Sequence, residues 1–204
     1  MITSGNFLIF LSAAFLLAIA PGPGMLYVLA RSLKGGKKVG MASSFGTALG
    51  GMGHVIAAAF GLSAILAQSA YAFLFVKYLG AAYLVYLGIR TLLSGDVAML
   101  NTVDEGKGQS PFWQGVLTEV LNPKTALFFL AFIPQFVDHA APLLPQFILL
   151  GAISVALNTS ADLVVVLTAA PLAQRLKTSI LWRRRQRLAS GAALVGLGSY
   201  VAVS

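Results

Sequence analysis

Apolar residues fill the chain in six long runs, at 7–31, 41–66, 73–93, 113–136, 145–171 and 188–203. The connections between them are brief, except for a polar stretch from 94 to 111 that holds Asp96, Asp104, Glu105 and Lys107. A membrane-spanning helix needs ~20 apolar residues. Four of the runs are long enough to cross with tilt; the last is the shortest. The pattern predicts an all-α integral membrane protein of six transmembrane helices. The polar stretch divides it into 1–93, a cytoplasmic linker at 94–111, and 112–204.

Two of the runs are interrupted by proline. One break is Ala20-Pro21-Gly22-Pro23-Gly24 and the other is Asn122-Pro123-Lys124. Proline inside a helix removes a backbone hydrogen bond and clashes with the preceding turn. In hydrocarbon the freed backbone groups need partners, so such breaks persist only beside protein or a water-filled cavity. Breaks at matching places in two halves point to a transporter binding site. Each half here has three runs, with the break in the first. Three spans per half send the second half into the membrane in the opposite sense, which predicts two inverted three-helix repeats.

Composition agrees with the membrane reading. Charged residues make up 10% of the chain and hydrophobic residues 58%, against ~25% charged in soluble domains. Mean hydropathy is +0.85. Without cysteine, disulfides and thiolate metal sites are excluded. Ala18-Ile19-Ala20 resembles a signal-peptidase site, but no Lys or Arg precedes Arg31; the first run is expected to be retained as a helix.

The net charge of +8 follows topology rather than nucleic-acid binding. Arg31, Lys34, Lys37, Lys38, Arg90, Lys107 and the group from Arg175 to Arg187 fall on one side if both termini are outside; only Lys77 falls on the other, and Lys124 is within a span. Basic residues are held on the cytoplasmic side. The Arg183–Arg187 cluster is expected to meet anionic lipid.

The rare intramembrane polar residues share a depth. Lys124 lies ~16 Å past Trp113, and Pro21 ~15 Å before Arg31, at 1.5 Å per residue. His54 and Asp162 sit midway along their runs. All four fall near the centre of a ~30 Å core. By depth, Asp162 is the expected partner of Lys124. Either the two form a structural ion pair, or Asp162 binds a substrate ammonium group or a coupling proton; the readings are compatible. Asn158 shares the face of Asp162. Glu119, six residues into its run, is placed at the cytoplasmic vestibule and is the second candidate for proton coupling. Asn122 is expected to cap the helix restarting at Pro123. His54 is expected to be a packed, hydrogen-bonded residue.

Gly46-x-x-x-Gly50 and Gly191 with Gly196-Leu197-Gly198 read as close helix contacts. They permit a homo-oligomer without requiring one. Gly22 and Gly24 flank Pro23 instead, and leave the N–H groups of a half-helix free to meet an anion. A substrate with one carboxylate and one ammonium group fits such ends together with Asp162.

These motifs resemble the LysE/RhtB family of amino-acid exporters. The resemblance rests on Ala20-Pro21-Gly22-Pro23, Arg31-Ser32-Leu33, the glycine-rich stretch 34–40, Asn122-Pro123-Lys124-Thr125-Ala126-Leu127-Phe128-Phe129, Pro134-Gln135-Phe136 and the tail 187–203. It implies amino-acid export from the bacterial cytoplasm, driven by proton-motive force. It carries Pro21, Gly22, Pro23, Asn122, Pro123, Lys124 and Asp162 over as functional positions. His54 and Asn158 are left as candidates for tuning selectivity.

The expectation is therefore a transporter rather than an enzyme. It works in the bacterial inner membrane without a cofactor or nucleic acid. It exports a small amino acid by alternating access against protons. Pro21, Gly22, Pro23, Gly24, Asn122, Pro123, Lys124 and Asn158 bind substrate; Asp162, then Glu119, couple protons. The alternative is a metal or other ion exporter on the same scaffold, against which the shortage of Cys and His weighs. A lipid-acting enzyme would need its polar groups near an interface rather than at the midplane.

Overall fold

The computed structural model describes residues 4–93, 110–138, 140–178 and 180–203. Among them are seven α-helices and no strand: α1 (Ser4–Ile19), α2 (Pro23–Gln68), α3 (Ala70–Leu93), α4 (Pro111–Val120), α5 (Pro123–Leu127), α6 (Leu143–Thr178) and α7 (Ile180–Val203). A π-helical turn at Phe128–Phe132 and a 3-10 turn at Ile133–Phe136 continue α5. The expected linker lies outside the described residues except for its last two positions, as does His139.

Both proline breaks appear as bends. The axes of Phe7–Ile19 and Pro23–Gly61 meet at 44°, and those of Pro111–Val120 and Pro123–Phe136 at 46°. Pro23 and Pro123 each open the helix after the break. Proline suits that position because its missing N–H would have had no intrahelical partner.

The 46 residues of α2 would make a straight rod of ~69 Å, more than twice the bilayer core. The helix instead folds back at Gly36, where φ is 73° and ψ is −173°. That region is open essentially only to glycine. A Cβ placed on Gly40 would strike Ser32, and one on Gly24 would lie 3.7 Å from Thr47 Cγ2. The two arms are thus antiparallel, and the first and second runs of the sequence are joined tightly through the 34–40 turn.

Small residues set the packing. The long arm of α2 lies parallel to α4, with Gly46 against the Phe112 carbonyl and Gly50 against the Val116 carbonyl. It lies antiparallel to α6, with Gly51 against Val155 and Gly151 against Val55. α3 and α7 are antiparallel, with Gly88 against Val195 and Gly198 against the Ala81 carbonyl. Without Cβ atoms the backbones approach closely, which drives association where no hydrophobic effect separates helix from lipid.

Phe10, Phe128, Phe132, Phe136 and Phe147 fill the centre with Val55, Leu84 and Leu150. Phe15, Phe60, Phe75 and Leu167 face outward, as a lipid-facing exterior requires. By length and hydropathy, Leu74–Leu93 and Leu143–Ala169 can cross a membrane. The bent pair Pro111–Val120 with Pro123–Phe136 passes the same test together, as does Phe7–Ile19 with Pro23–Gly61, which the fold-back at Gly36 keeps from being a single span; Arg187–Val203 is a shorter apolar helix.

Candidate functional site

The two breaks meet. At the second, Asn122 caps α5: its Oδ1 accepts from the Lys124 backbone N–H at 3.1 Å, the role expected of an asparagine before Pro123. This cap aims the Lys124 side chain at the first break. Lys124 Nζ donates to the Ala20 carbonyl at 2.6 Å and the Leu17 carbonyl at 3.0 Å. Those carbonyls belong to the end of α1 and have no helical N–H left to accept from. The ammonium charge also complements the negative end of the α1 dipole.

Lys124 makes no ion pair with Asp162. Equal depth placed the two side chains at one level, but depth does not fix the helix face. The α1 carbonyls, stripped of partners by the Pro21 break, take the ammonium group instead.

Glu119 is 1% exposed, and so is no vestibule residue. It reaches inward at the end of α4, where Oε2 accepts from Asn122 Nδ2 at 3.0 Å and Oε1 from Thr125 Oγ1 at 2.6 Å. The carboxylate rests against Gly24 in the first turn of α2 so closely that a Cβ there would collide with Oε2. The positive end of the α2 dipole favours an anion at that place. Gly22 similarly makes room for Lys124: a Cβ would fall 3.1 Å from Nζ.

His54 Nε2 donates to the Glu119 carbonyl at 2.9 Å, and the ring stacks on Phe129. A carbonyl only accepts, so Nε2 carries the hydrogen. His54 is the packed, hydrogen-bonded residue expected.

Asp162 is 0% exposed. Its Oδ2 accepts from Thr47 Oγ1 at 3.0 Å, while Oδ1 meets no hydrogen-bonding protein group. Thr47 and Thr125 escaped the sequence reading. A membrane threonine ordinarily donates to its own helix, and no local spacing marks those that do otherwise.

A small cavity of about 30 Å³ lies where these groups converge, lined by Glu119, Lys124, Thr47, Thr125, Asn158 and Ser154 among others. That is room for about two waters. Asn158 thus joins Glu119 and Lys124 at the cavity; Asp162 does not line it. Pro21, Pro23 and Pro123 shape the breaks and do not line the cavity. Larger hollows, of about 540 Å³ between α1 and α7 and about 730 Å³ between α1 and α6, are outward apolar grooves. Among the described residues, no group of three or more His, Asp or Glu side chains could hold a metal ion. Arg184 and Arg185 are exposed at the start of α7; the side chain of Arg183 lies outside the described residues.

The family model of the LysE-type translocator matches residues 15–204. A homoserine/homoserine lactone efflux protein of Salmonella typhimurium is 30% identical over 168 residues, covering 82% of this chain and 80% of that protein. An uncharacterized membrane protein of Pseudomonas aeruginosa is 35% identical over 183 residues, covering 85% of this chain and 81% of that protein. Another, of Vibrio cholerae, is 29% identical over 198 residues, covering 97% and 96%. No solved structure matches the chain. The proline breaks, the buried lysine between them and the match over nearly the full length agree: the chain belongs to the LysE-type translocator family.

Proposed function

We propose that this protein exports a small amino acid across the bacterial inner membrane by proton antiport with alternating access. The observation that carries this reading is the small cavity at the meeting of two broken helices, with a buried ammonium and a buried carboxylate on its wall. A zwitterion needs both signs of partner at one place, and helix breaks supply them at membrane depth. The polar lining of Thr47, Thr125, Ser154 and Asn158 suits a small substrate with a hydroxyl group. The named relative is a homoserine efflux protein, so homoserine is the first compound to test.

The proposed architecture is six spans in two inverted repeats, 1–93 and 112–204, joined by a cytoplasmic linker, with both termini outside. The parallel packing of the long α2 arm on α4, and the antiparallel α2–α6 and α3–α7 pairs, support it. Pro21, Gly22, Pro23 and Gly24 with Asn122, Pro123, Lys124 and Asn158 form the substrate site. Asp162 carries the coupled proton. Glu119, already holding two hydrogen bonds, ranks second for that role. The arginines at 183–187 rest on anionic lipid.

The test uses purified protein in proteoliposomes. A pH gradient is imposed and uptake of radiolabelled homoserine and a panel of other amino acids is measured, with empty liposomes as control. Gradient-driven movement of one or a few compounds is expected, together with its loss in Asp162→Asn. A flat panel from folded protein overturns the export reading. Full gradient-driven flux in Asp162→Asn overturns the role of Asp162.

A further inference from the structure

Asn158 lines the cavity, yet its amide makes no hydrogen bond to any other group among the described residues. Ser154, Asn158 and Asp162 follow one another at intervals of four along α6 and share a face. Ser154 and Asp162 are buried, while Asn158 between them is partly exposed. Asn158 lines the cavity and not the outer groove, whose α6 wall includes Ser160 and Val164 from another face of the helix. An amide left without a partner away from bulk water costs free energy that a leucine of similar shape would not. The cost is recovered when a visiting group pairs with it.

The other neutral polar side chains on the wall are already engaged. Thr125 donates to Glu119, Ser154 to the Leu150 carbonyl and Thr159 to the Val155 carbonyl. Thr47 Oγ1 lies within reach of Asp162 Oδ2 and the Ser44 carbonyl. A hydroxyl has one hydrogen, so these side chains can still accept but have none left to give. An amide offers two N–H groups and a carbonyl oxygen, and at Asn158 all of them are free. The charged groups have spare capacity of another kind. Lys124 Nζ carries three hydrogens and gives two of them to the α1 carbonyls. Glu119 accepts two hydrogen bonds, where a carboxylate offers about four sites. These suit the carboxylate and ammonium groups that every amino acid carries, and so cannot tell one amino acid from another.

Resting on the export reading, we propose that Asn158 selects the substrate by its side chain. Its amide pairs with a side-chain hydroxyl or amide, and so favours a small amino acid with a polar side chain over an apolar one of the same shape. Discrimination comes from the protein's own unpaired group: an apolar competitor leaves the amide stranded, which a polar site punishes more than an apolar pocket punishes an extra methylene. At about 30 Å³ the cavity is smaller than an amino acid, so the pairing forms when the broken helices part.

The test compares homoserine with norvaline, which has a methyl group in place of the hydroxyl. Each competes, unlabelled, against radiolabelled homoserine entering proteoliposomes under a pH gradient. Half-inhibiting concentrations are read for the unaltered protein, Asn158→Leu and Ser160→Ala. Size-exclusion elution checks folding, and Asn158→Ala replaces Asn158→Leu if the latter does not fold. The unaltered protein and Ser160→Ala, changed on the outer face of α6, are expected to prefer homoserine by about tenfold, the size of a single hydrogen bond. In Asn158→Leu that preference is expected to disappear, with norvaline bound as well as before or better. A preference retained in Asn158→Leu, or an equal weakening of both compounds, overturns the inference and leaves export standing. So does an unaltered protein that takes norvaline as well as homoserine. If another polar amino acid is moved in place of homoserine, it and its apolar isostere replace the pair; movement of apolar amino acids alone overturns the inference. A flat panel overturns the export reading, and the inference with it.

Discussion

Lys124 Nζ lies 2.6 Å from the carbonyl oxygen of Ala20, a residue 104 positions earlier and in the other half of the chain. A side chain of the second break thereby closes the end of the helix before the first. Removing the ammonium group strands the Ala20 and Leu17 carbonyls in a buried setting. Each unsatisfied group costs about 1–3 kcal/mol. Lys124→Met is expected to lower the thermal midpoint of the detergent-purified protein and to abolish flux. Lys124→Arg is expected to behave no better, because a planar fork needs more width than Gly22 leaves. An unchanged midpoint in Lys124→Met would show that water reaches these carbonyls.

The two glycines of the first break should differ in tolerance. Gly24→Ala drives a Cβ into the Glu119 carboxylate, which two hydrogen bonds hold in place. Gly22→Ala meets only the flexible end of Lys124. Gly24→Ala is expected to remove flux and lower yield, and Gly22→Ala to reduce flux while leaving the fold. Gly53 has nothing within 4 Å of where a Cβ would stand. Gly53→Ala, in a helix interior, is expected to stabilise by about 0.5–1 kcal/mol. Equal effects at all three positions would contradict the contacts described.

Thr125 gives Glu119 its shorter hydrogen bond, at 2.6 Å. Thr125→Val keeps the shape and removes the donor. The expected loss is about 1.5–3 kcal/mol, the range for a bond to a charged group. Thr125→Ser should recover most of it. Thermal melts of the two variants decide, and equal midpoints would mean that Thr125 contributes packing alone.

Gly36 holds α2 in its hairpin at a backbone setting that even asparagine rarely visits. Gly36→Ala and Gly36→Asn are both expected to destabilise by about 1–3 kcal/mol. If asparagine were markedly the better tolerated, the turn would have relaxed into the ordinary left-handed region.

The breaks were legible in the sequence because proline announces itself chemically: it has no N–H to give. The cap at Asn122 followed from its place before Pro123. That the two breaks come together followed from rise per residue. The partners did not follow. Depth fixes height along the membrane normal but leaves rotation about the helix free, so Lys124 was matched to Asp162 rather than to the α1 carbonyls. Glu119 was misplaced by the same limit, since distance from a span's edge says nothing of whether a side chain turns inward. Thr47 and Thr125 carry no mark at all. A hydroxyl that serves its own helix and one that serves another are spelled alike.

At the first break, Leu17 and Ala20 supply carbonyls and Gly22 and Gly24 bare space, while Glu119, Asn122, Lys124 and Thr125 supply the side chains. The receiving face is therefore main chain. Main chain is the same whatever the codon, so mutation cannot delete its acceptors; it can only fill the hollow beside them. Two positions, Gly22 and Gly24, guard that hollow, and every other change to the junction has to come from the segment that reaches across.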